Sequence, residues 1–160
     1  MALFNVSELR TRLAPGQRLL GIDPGSKTIG LALSDVGLML ASPYGSLRRG
    51  KLGPAAAEIN RIAAKEGVAG LVVGWPLAMD GSVGPSAQGA RDWALALSEA
   101  TGLPASLWDE RLSTAAVNRF LIGEADMSRR KRAAVVDGMA AAYILQGALD
   151  ATAGRGLSGI

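Results

Sequence analysis

Three short apolar runs follow one another between Arg18 and Ser42 with almost no chain between them, and this spacing limits the possible folds more than any other feature. The runs are Arg18 to Asp23, Ile29 to Ser34 and Gly37 to Ser42. The breaks between them, Pro24–Lys27 and Asp35–Gly37, are turn segments, because Pro presets φ and Gly accepts the positive φ that tight turns require. Strands joined so closely can pair only as an antiparallel meander, since a parallel neighbour needs a crossover of about a dozen residues or more.

After Pro54 the pattern changes. A helix is expected from Pro54 to Glu66, with Ile59, Ile62 and Ala63 on one face and Gly67 closing it. Gly70 to Gly74 reads as a fully buried strand. The glycine-rich loop WPLAMDGSVGP comes next, then a helix from about Ser86 to Thr101 that turns Ala90, Trp93, Ala94 and Leu97 inward and ends at Gly102. Ala105 to Asp109 forms a fifth strand. Ser113 can cap a helix running to about Ile122, Gly123–Arg132 is polar and loop-like, and a last helix starts at Ser128 or Arg130 and runs to Leu149. The order βββαβαβαα predicts an α/β fold: a five-stranded mixed sheet, first a β-meander and then right-handed parallel βαβ crossovers, flanked by helices. With 160 residues, 49% of them apolar, there is material for one core. A single domain is therefore expected over residues 1–150, with 151–160, which holds three glycines and no periodicity, as a flexible C-terminal tail.

The residue inventory narrows the chemistry. The chain has no Cys and no His, so disulfide scaffolds, thiol nucleophiles, His-based triads and the usual zinc sites are excluded. Catalysis would have to use carboxylates, Lys, hydroxyls or a hard metal. No apolar run reaches the roughly 18 residues of a membrane span; the longest candidate, Ala133 to Leu149, is broken by Asp137, Gly138 and Gln146. Residues 1–17 contain Glu8, Arg10 and Arg12 and no apolar h-region, so no secretory signal is expected and a cytoplasmic location is the default. The net charge of +3 is unevenly spread. Residues 1–53 hold seven basic and three acidic groups, 54–110 three and seven, 111–160 seven and four. Basic ends around an acidic middle permit a polyanionic partner and equally permit a solvated surface.

In open α/β sheets, ligands bind outside the carboxyl ends of the parallel strands. Asp23 ends the first strand and Glu110 follows the fifth, so two carboxylates far apart in sequence emerge on one rim. The third is Asp137, inside the apolar stripe Ala133, Val136, Ala140, Ala141, Ile144 and Ala148 of the last helix, where an unpaired charge is costly. Each has a plain alternative: Asp23 as a turn-former, Glu110 as a surface partner of Arg111, Asp137 as a buried acid paired with Lys or Arg. Three acids without imidazole suit an oxygen-loving cation such as Mg²⁺ or Mn²⁺. In a two-metal site, ions about 3.5–4 Å apart activate water and stabilise the leaving oxygen in phosphodiester hydrolysis without a protein base.

Four ordered stretches carry a family resemblance over nearly the whole chain: GIDPGSKTIGLALSD (21–35), VVGWPLAMDGSVGP (72–85), WDERLSTAAV (108–117) and KRAAVVDGMAAAYILQ (131–146). The chain resembles the YqgF family of pre-16S rRNA nucleases, related to Holliday-junction resolvases of the RuvC type, with a ribonuclease H-like fold. The resemblance implies an acidic catalytic and metal-binding triad at Asp23, Glu110 and Asp137, divalent-metal-dependent nuclease activity, and a part in maturing the 5′ end of 16S rRNA. One departure stands out. In the wider ribonuclease H-like pattern the second acid ends the fourth strand, where this chain has VVGWP. With a sheet order of 3-2-1-4-5, strands one and five are two spacings apart, about 9.5 Å, which a Glu and an Asp are expected to bridge only with metal or water between them. Asp109 and Asp80 remain alternative second acids.

Several further residues are candidates for substrate binding. The loop from Gly74 to Pro85 opens on the same rim, and Gly81, Ser82 and Gly84 are expected to leave backbone N–H groups free for a phosphate. Arg129, Arg130, Lys131 and Arg132 stand at the start of the last helix, where cations oppose the macrodipole and a nucleic-acid phosphate or solvation must compensate. Lys27 beside Asp23 and Arg111 beside Glu110 complete the set. Aromatic residues make up only 4% of the chain, so contact with the backbone and shape of structured RNA or branched DNA is expected over base stacking. Two other readings fit parts of the pattern. One is a non-catalytic nucleic-acid-binding protein of ribosome assembly or transcription. The other is the actin-like and sugar-kinase group, which shares the Asp-x-Gly turn but needs two such domains.

Overall fold

A computed structural model describes residues 3–112 and 129–153, with side chains for 3–111 and 138–153. The elements are β1 (Leu3–Phe4), α1 (Val6–Thr11), β2 (Arg18–Pro24), β3 (Thr28–Ser34), β4 (Ala41–Arg48), α2 (Leu52–Glu66), β5 (Val68–Trp75), α3 (Pro85–Thr101), β6 (Ala105–Asp109), a 3-10 turn at Glu110–Leu112 and α4 (Arg129–Thr152). The helix expected from Ser113 lies outside the described residues.

The strands form one mixed sheet in the order β1-β6-β5-β2-β3-β4. β2 and β5 are central and covered on both faces, which is why they read as continuous apolar runs. Leu20, Ile22, Leu71 and Val73 point into a core with α2 and α3. Leu19 and Val72 point the other way, into a core with α1 and α4. β2 pairs antiparallel with β3 and parallel with β5, so the meander and the crossovers meet at β2. Gly67 (φ 72°) and Gly102 (φ 76°) end α2 and α3 in the left-handed conformation, as their positions predicted.

Among the described residues the sheet has six strands where five were expected. The extra one is a two-residue edge, Leu3–Phe4, parallel to β6. Asn5 follows it and caps α1 in a reciprocal capping box with Glu8. The spacing Asn5–Glu8 is a sequence signal for such a start, but the helix it opens has only six residues. The third strand also shifts, from the expected 37–42 to Ala41–Arg48. The Asp35 carboxylate accepts the N–H groups of Met39 and Leu40 at 2.8 and 3.1 Å, and Leu38 sits at φ 57°. The apolar LML triplet is therefore held in the turn, with Met39 70% and Leu40 65% exposed. The strand that pairs with β3 is an edge strand, half exposed and broken by Pro43 and a register shift, so it carries no apolar run to betray it. The polar stretch ending at Arg132 is helical from Arg129, and α4 continues to Thr152, two residues into the expected tail.

α4 crosses one face of the sheet so closely that glycines mark its path. A Cβ added at Gly138 would sit 3.0 Å from Pro43 Cβ and 3.2 Å from the Leu31 carbonyl; one at Gly21 would sit 2.8 Å from Leu145 Cβ and 3.0 Å from the Ala141 carbonyl. Gly21→Ala is therefore expected to destabilise the protein by about 1–3 kcal/mol, since backbone and not a flexible tip must move. An unchanged urea midpoint would contradict this contact.

Candidate active site

Asp23 lies at the carboxyl end of β2. Alternation along the strand sets its side chain on the α4 face, the face of Leu19 and Gly21. The turn behind it is tight: the Gly25 N–H donates to the Asp23 carbonyl at 3.0 Å, and a Cβ on Gly25 would meet the Thr28 carbonyl at 2.5 Å. Arg49 holds the same turn from outside, donating from Nη1 to the Gly25 carbonyl at 2.9 Å. Asp23 is thus both turn residue and rigidly presented carboxylate.

Glu110 opens the 3-10 turn after β6, and its carboxyl group shares a hydrogen bond with that of Asp23. The expectation that the two could meet only through metal or water is corrected: they meet directly. Between them in the sheet lies β5, and the β5 residue at this level is Gly74, the cross-strand partner of Trp108. Glu110 leans across the space a side chain there would fill. Burial pushes the Glu110 carboxyl up, with the Asp23 charge and hydrogen bond adding to it, to about 7. Two half-buried carboxyl groups side by side cannot both ionise cheaply.

Asp109 and Asp80, the alternative second acids, are engaged elsewhere. Asp109 forms a forked ion pair with Arg111, 2.6 Å between Nη2 and Oδ2, which holds its carboxyl below the usual range. Asp80 accepts from the Ser82 N–H and hydroxyl inside the loop and is likewise lowered. Arg111 therefore pairs with its second neighbour and not with Glu110, and its Nη1 donates to the Met79 carbonyl at 3.1 Å, tying the rim loop to the end of β6. The expectation of free N–H groups in that loop is corrected at Gly81 and Ser82. The Gly81 N–H donates to the Ala78 carbonyl at 2.8 Å and the Ser82 N–H to Asp80 at 2.9 Å, because a loop closed by its own short turns uses the donors it carries. Lys27 is exposed in the turn after Asp23.

Asp137 lies in α4 one residue before Gly138, whose backbone passes beside Leu31. Leu31 is the cross-strand partner of Ile22, next to Asp23. The helix backbone thus passes the Asp23 end of β2 at this position; the Asp137 side chain, like those of Arg129 to Arg132, is outside the described ones. No group of three His, Cys, Asp or Glu residues placed to hold a metal occurs among the described residues. The donor chemistry of the pair nonetheless fits a hard cation: two adjacent carboxyl groups, one of them raised by burial and by the charge of the other, are what a divalent ion would relieve.

Sequence reasoning missed Arg49. Its guanidinium stands 5.2 Å over the Trp93 ring and lines a cleft of about 390 Å³ with Pro24, Ser26, Pro76 and Ser86, on the same rim. The run Arg48-Arg49-Gly50-Lys51 was the available signal.

The paired acids carry a pH signature. Glu110 ionises near its ordinary value of 4.5 in the unfolded chain and at about 7 in the folded one. Between these values the folded state binds the extra proton, so the stability of metal-free protein should fall as pH rises through that window and level off above it. Urea midpoints from pH 5 to 7.5 would show the decline, and Glu110→Gln should abolish it. A flat profile in the parent would mean the two carboxyl groups do not share a proton.

The model of the RuvX family, described as Holliday junction resolvase, matches residues 17–151. A protein of Gluconacetobacter diazotrophicus named "Putative pre-16S rRNA nuclease" is 69% identical over 153 residues, 96% of this chain and 99% of that one. One of Rhodospirillum rubrum with the same name is 52% identical over 151 residues, 94% of each. Among solved structures, Thermus thermophilus RuvC superimposes with a TM-score of 0.52 at 16% identity, over 86% of this chain and 97% of that one. This likeness shows the fold, the RuvC-like ribonuclease H type.

Proposed function

The chain belongs to the RuvX family, and from that membership we propose that it is a divalent-metal-dependent nuclease that hydrolyses phosphodiester bonds in the 5′-end maturation of pre-16S rRNA. The observation that carries the reading is the Asp23–Glu110 carboxyl pair at the carboxyl ends of β2 and β6, where ligands of such sheets bind. The names borne by relatives over nearly their full length supply the substrate.

Asp23, Glu110 and Asp137 would hold Mg²⁺ or Mn²⁺. When bound, the cation would polarise the scissile phosphate and make water nucleophilic near neutral pH. Asp23 contributes a carboxylate fixed by the turn at Gly25 and Arg49, which is preorganisation of the kind a precise site requires. Glu110 is held against it, with a proton at the shared carboxyl oxygens that leaves near pH 7. Arg111 keeps Asp109 neutralised and the rim loop in place. Lys27, Arg49 and the 129–132 quartet would take backbone phosphates on either side of the scissile one. Gly81 and Ser82 remain on the rim as loop formers, with both N–H groups, the Ser82 carbonyl and the Ser82 hydroxyl all engaged within the loop. No helix among the described residues is long and apolar enough to cross a membrane, and a pre-rRNA substrate would place the protein in the cytoplasm.

A second reading, cleavage of branched DNA, is favoured by the family's description and by the RuvC-like fold. Purified protein with Mg²⁺ or Mn²⁺, a pre-16S rRNA fragment and a four-way DNA junction tests both. Metal-dependent cut RNA is expected. Cleavage of the junction alone would favour the second reading, and binding that persists in chelator with no product would leave a non-catalytic nucleic-acid-binding protein.

A further inference from the structure

Gly74 has no conformational reason to be glycine. The glycines with positive φ are Gly16, Gly45, Gly67, Gly81 and Gly102 among the described residues, and Gly74 lies in the middle of a paired register between β5 and β6. What it provides is space. A Cβ built there would overlap Glu110 Oε1, lie 3.1 Å from Glu110 Cδ and lie 2.7 Å from Ile144 Cδ1. Contacts below 3.0 Å force a neighbour to move, and here the two closest atoms are the tips of flexible side chains, so the Glu110 carboxylate and the Ile144 methyl are what would give way.

We propose that Gly74 is a positioning residue for the acidic pair: its missing side chain is the gap through which Glu110, two strands away, reaches Asp23. The geometry explains how an acid on β6 can serve a site centred on β2. Neighbouring strands lie about 4.8 Å apart, so a carboxylate crossing from β6 to β2 must pass over β5, and it passes over the one β5 residue at that level that has no side chain. Any other residue would raise a Cβ into the carboxylate and turn Glu110 outward, leaving Asp23 without its partner. Val72, two residues earlier on the same face, is fully buried, so the face tolerates side chains where no acid needs to pass. The consequence for catalysis rests on the proposed nuclease reading; the steric role of Gly74 does not.

The obvious alternative is that Gly74 merely makes room for α4 through Ile144. A double-mutant cycle separates the two. In metal-free protein, Gly74→Ala should lower the thermal midpoint by about 2–4 °C, and by no more than about half as much in a Glu110→Ala background, where the carboxylate is gone. Ile144→Val, which removes the other close atom, should relieve less of the loss. Gly74→Ala/Ile144→Val should then fold yet bind Mn²⁺ about 10–100-fold more weakly than Ile144→Val, with kcat lowered and KM little changed, as expected when an orienting group is lost. Equal midpoint losses with and without the Glu110 carboxylate would overturn the proposal, as would Mn²⁺ affinity in the folded double variant equal to that of Ile144→Val. If Gly74→Ala fails to fold, its folding in the Glu110→Ala background supports the proposal and its failure there overturns it. Because the midpoint cycle uses neither metal nor nucleic acid, its outcome is independent of whether the protein is a nuclease; cleavage activity without coupling would remove only the role of Gly74.

Discussion

Asp23→Asn is expected to fold with a midpoint close to that of the parent and to cleave a pre-16S rRNA fragment at least about 10²-fold more slowly. The two halves of this result come from different atoms. The turn after β2 is closed by the Asp23 backbone carbonyl accepting the Gly25 N–H, by the close approach of Gly25 to Thr28 and by Arg49 on the Gly25 carbonyl. None of these uses the carboxylate, and Asn keeps its shape and turn propensity. The carboxylate instead faces Glu110, whose carboxyl is raised first by burial and then by the Asp23 charge beside it. Removing one charge from that pair should leave the metal-free protein at least as stable as the parent near pH 7, while depriving a divalent cation of a ligand. Thermal midpoints with and without chelator, beside cleavage rates, test both halves. Full activity in Asp23→Asn would return Asp23 to the role of turn-former and sink the site. A large loss of stability in chelator would show that the charge is structural after all.

The parts of the fold legible in the sequence are those where one local signal decided the outcome. The central strands are apolar on both faces because both faces are covered, so Leu19–Ile22 and Leu71–Val73 announce themselves. Gly67 and Gly102 end helices for a backbone reason readable from glycine alone. The order 3-2-1-4-5, taken with the family resemblance, is the order of the five longer strands in the structure, extended by β1 at one edge. The edges were less legible. β4 has four exposed residues and none fully buried, and its apolar neighbours Leu38–Leu40 belong to a turn organised by a single carboxylate, Asp35.

The site divides in the same way. That Asp23 and Glu110 share a rim followed from strand ends; that they touch did not, because the contact depends on a side chain that position 74 lacks, and an absence on the strand between them leaves no local pattern. The partner of Arg111 was misjudged for a related reason. Glu110 is its sequence neighbour, but strand alternation sends residues 109 and 110 to opposite faces, and Arg111 follows Asp109. Glycine content likewise suggested free N–H groups at Gly81 and Ser82, whereas donors in a loop so short are satisfied within it.

Replacing Arg129, Arg130, Lys131 and Arg132 together by Gln is expected to flatten the plot of log K against log salt for nucleic-acid binding by roughly 3–4 units of slope, because each phosphate neutralised releases about 0.7–0.9 of a counterion. The placement of the quartet makes the effect large. These residues form the first turn of α4, where four positive charges oppose the helix macrodipole at a cost of about 0.3–1 kcal/mol each when exposed. A helix start built against its own dipole is relieved when a polyanion lies across it. The same turn is five to eight residues before Asp137 on a helix that passes the Asp23 end of β2, so a strand bound there would run into the acidic pair. Between 50 and 200 mM salt a slope change of this size alters relative affinity by about 10². The loss should be nearly the same for unrelated sequences, since phosphate contacts carry no base information, and saturating substrate should restore most of the cleavage rate, because the quartet supplies binding and not chemistry. An unchanged slope would make the quartet solvated surface, and a kcat lost at saturation would place it in the chemistry instead.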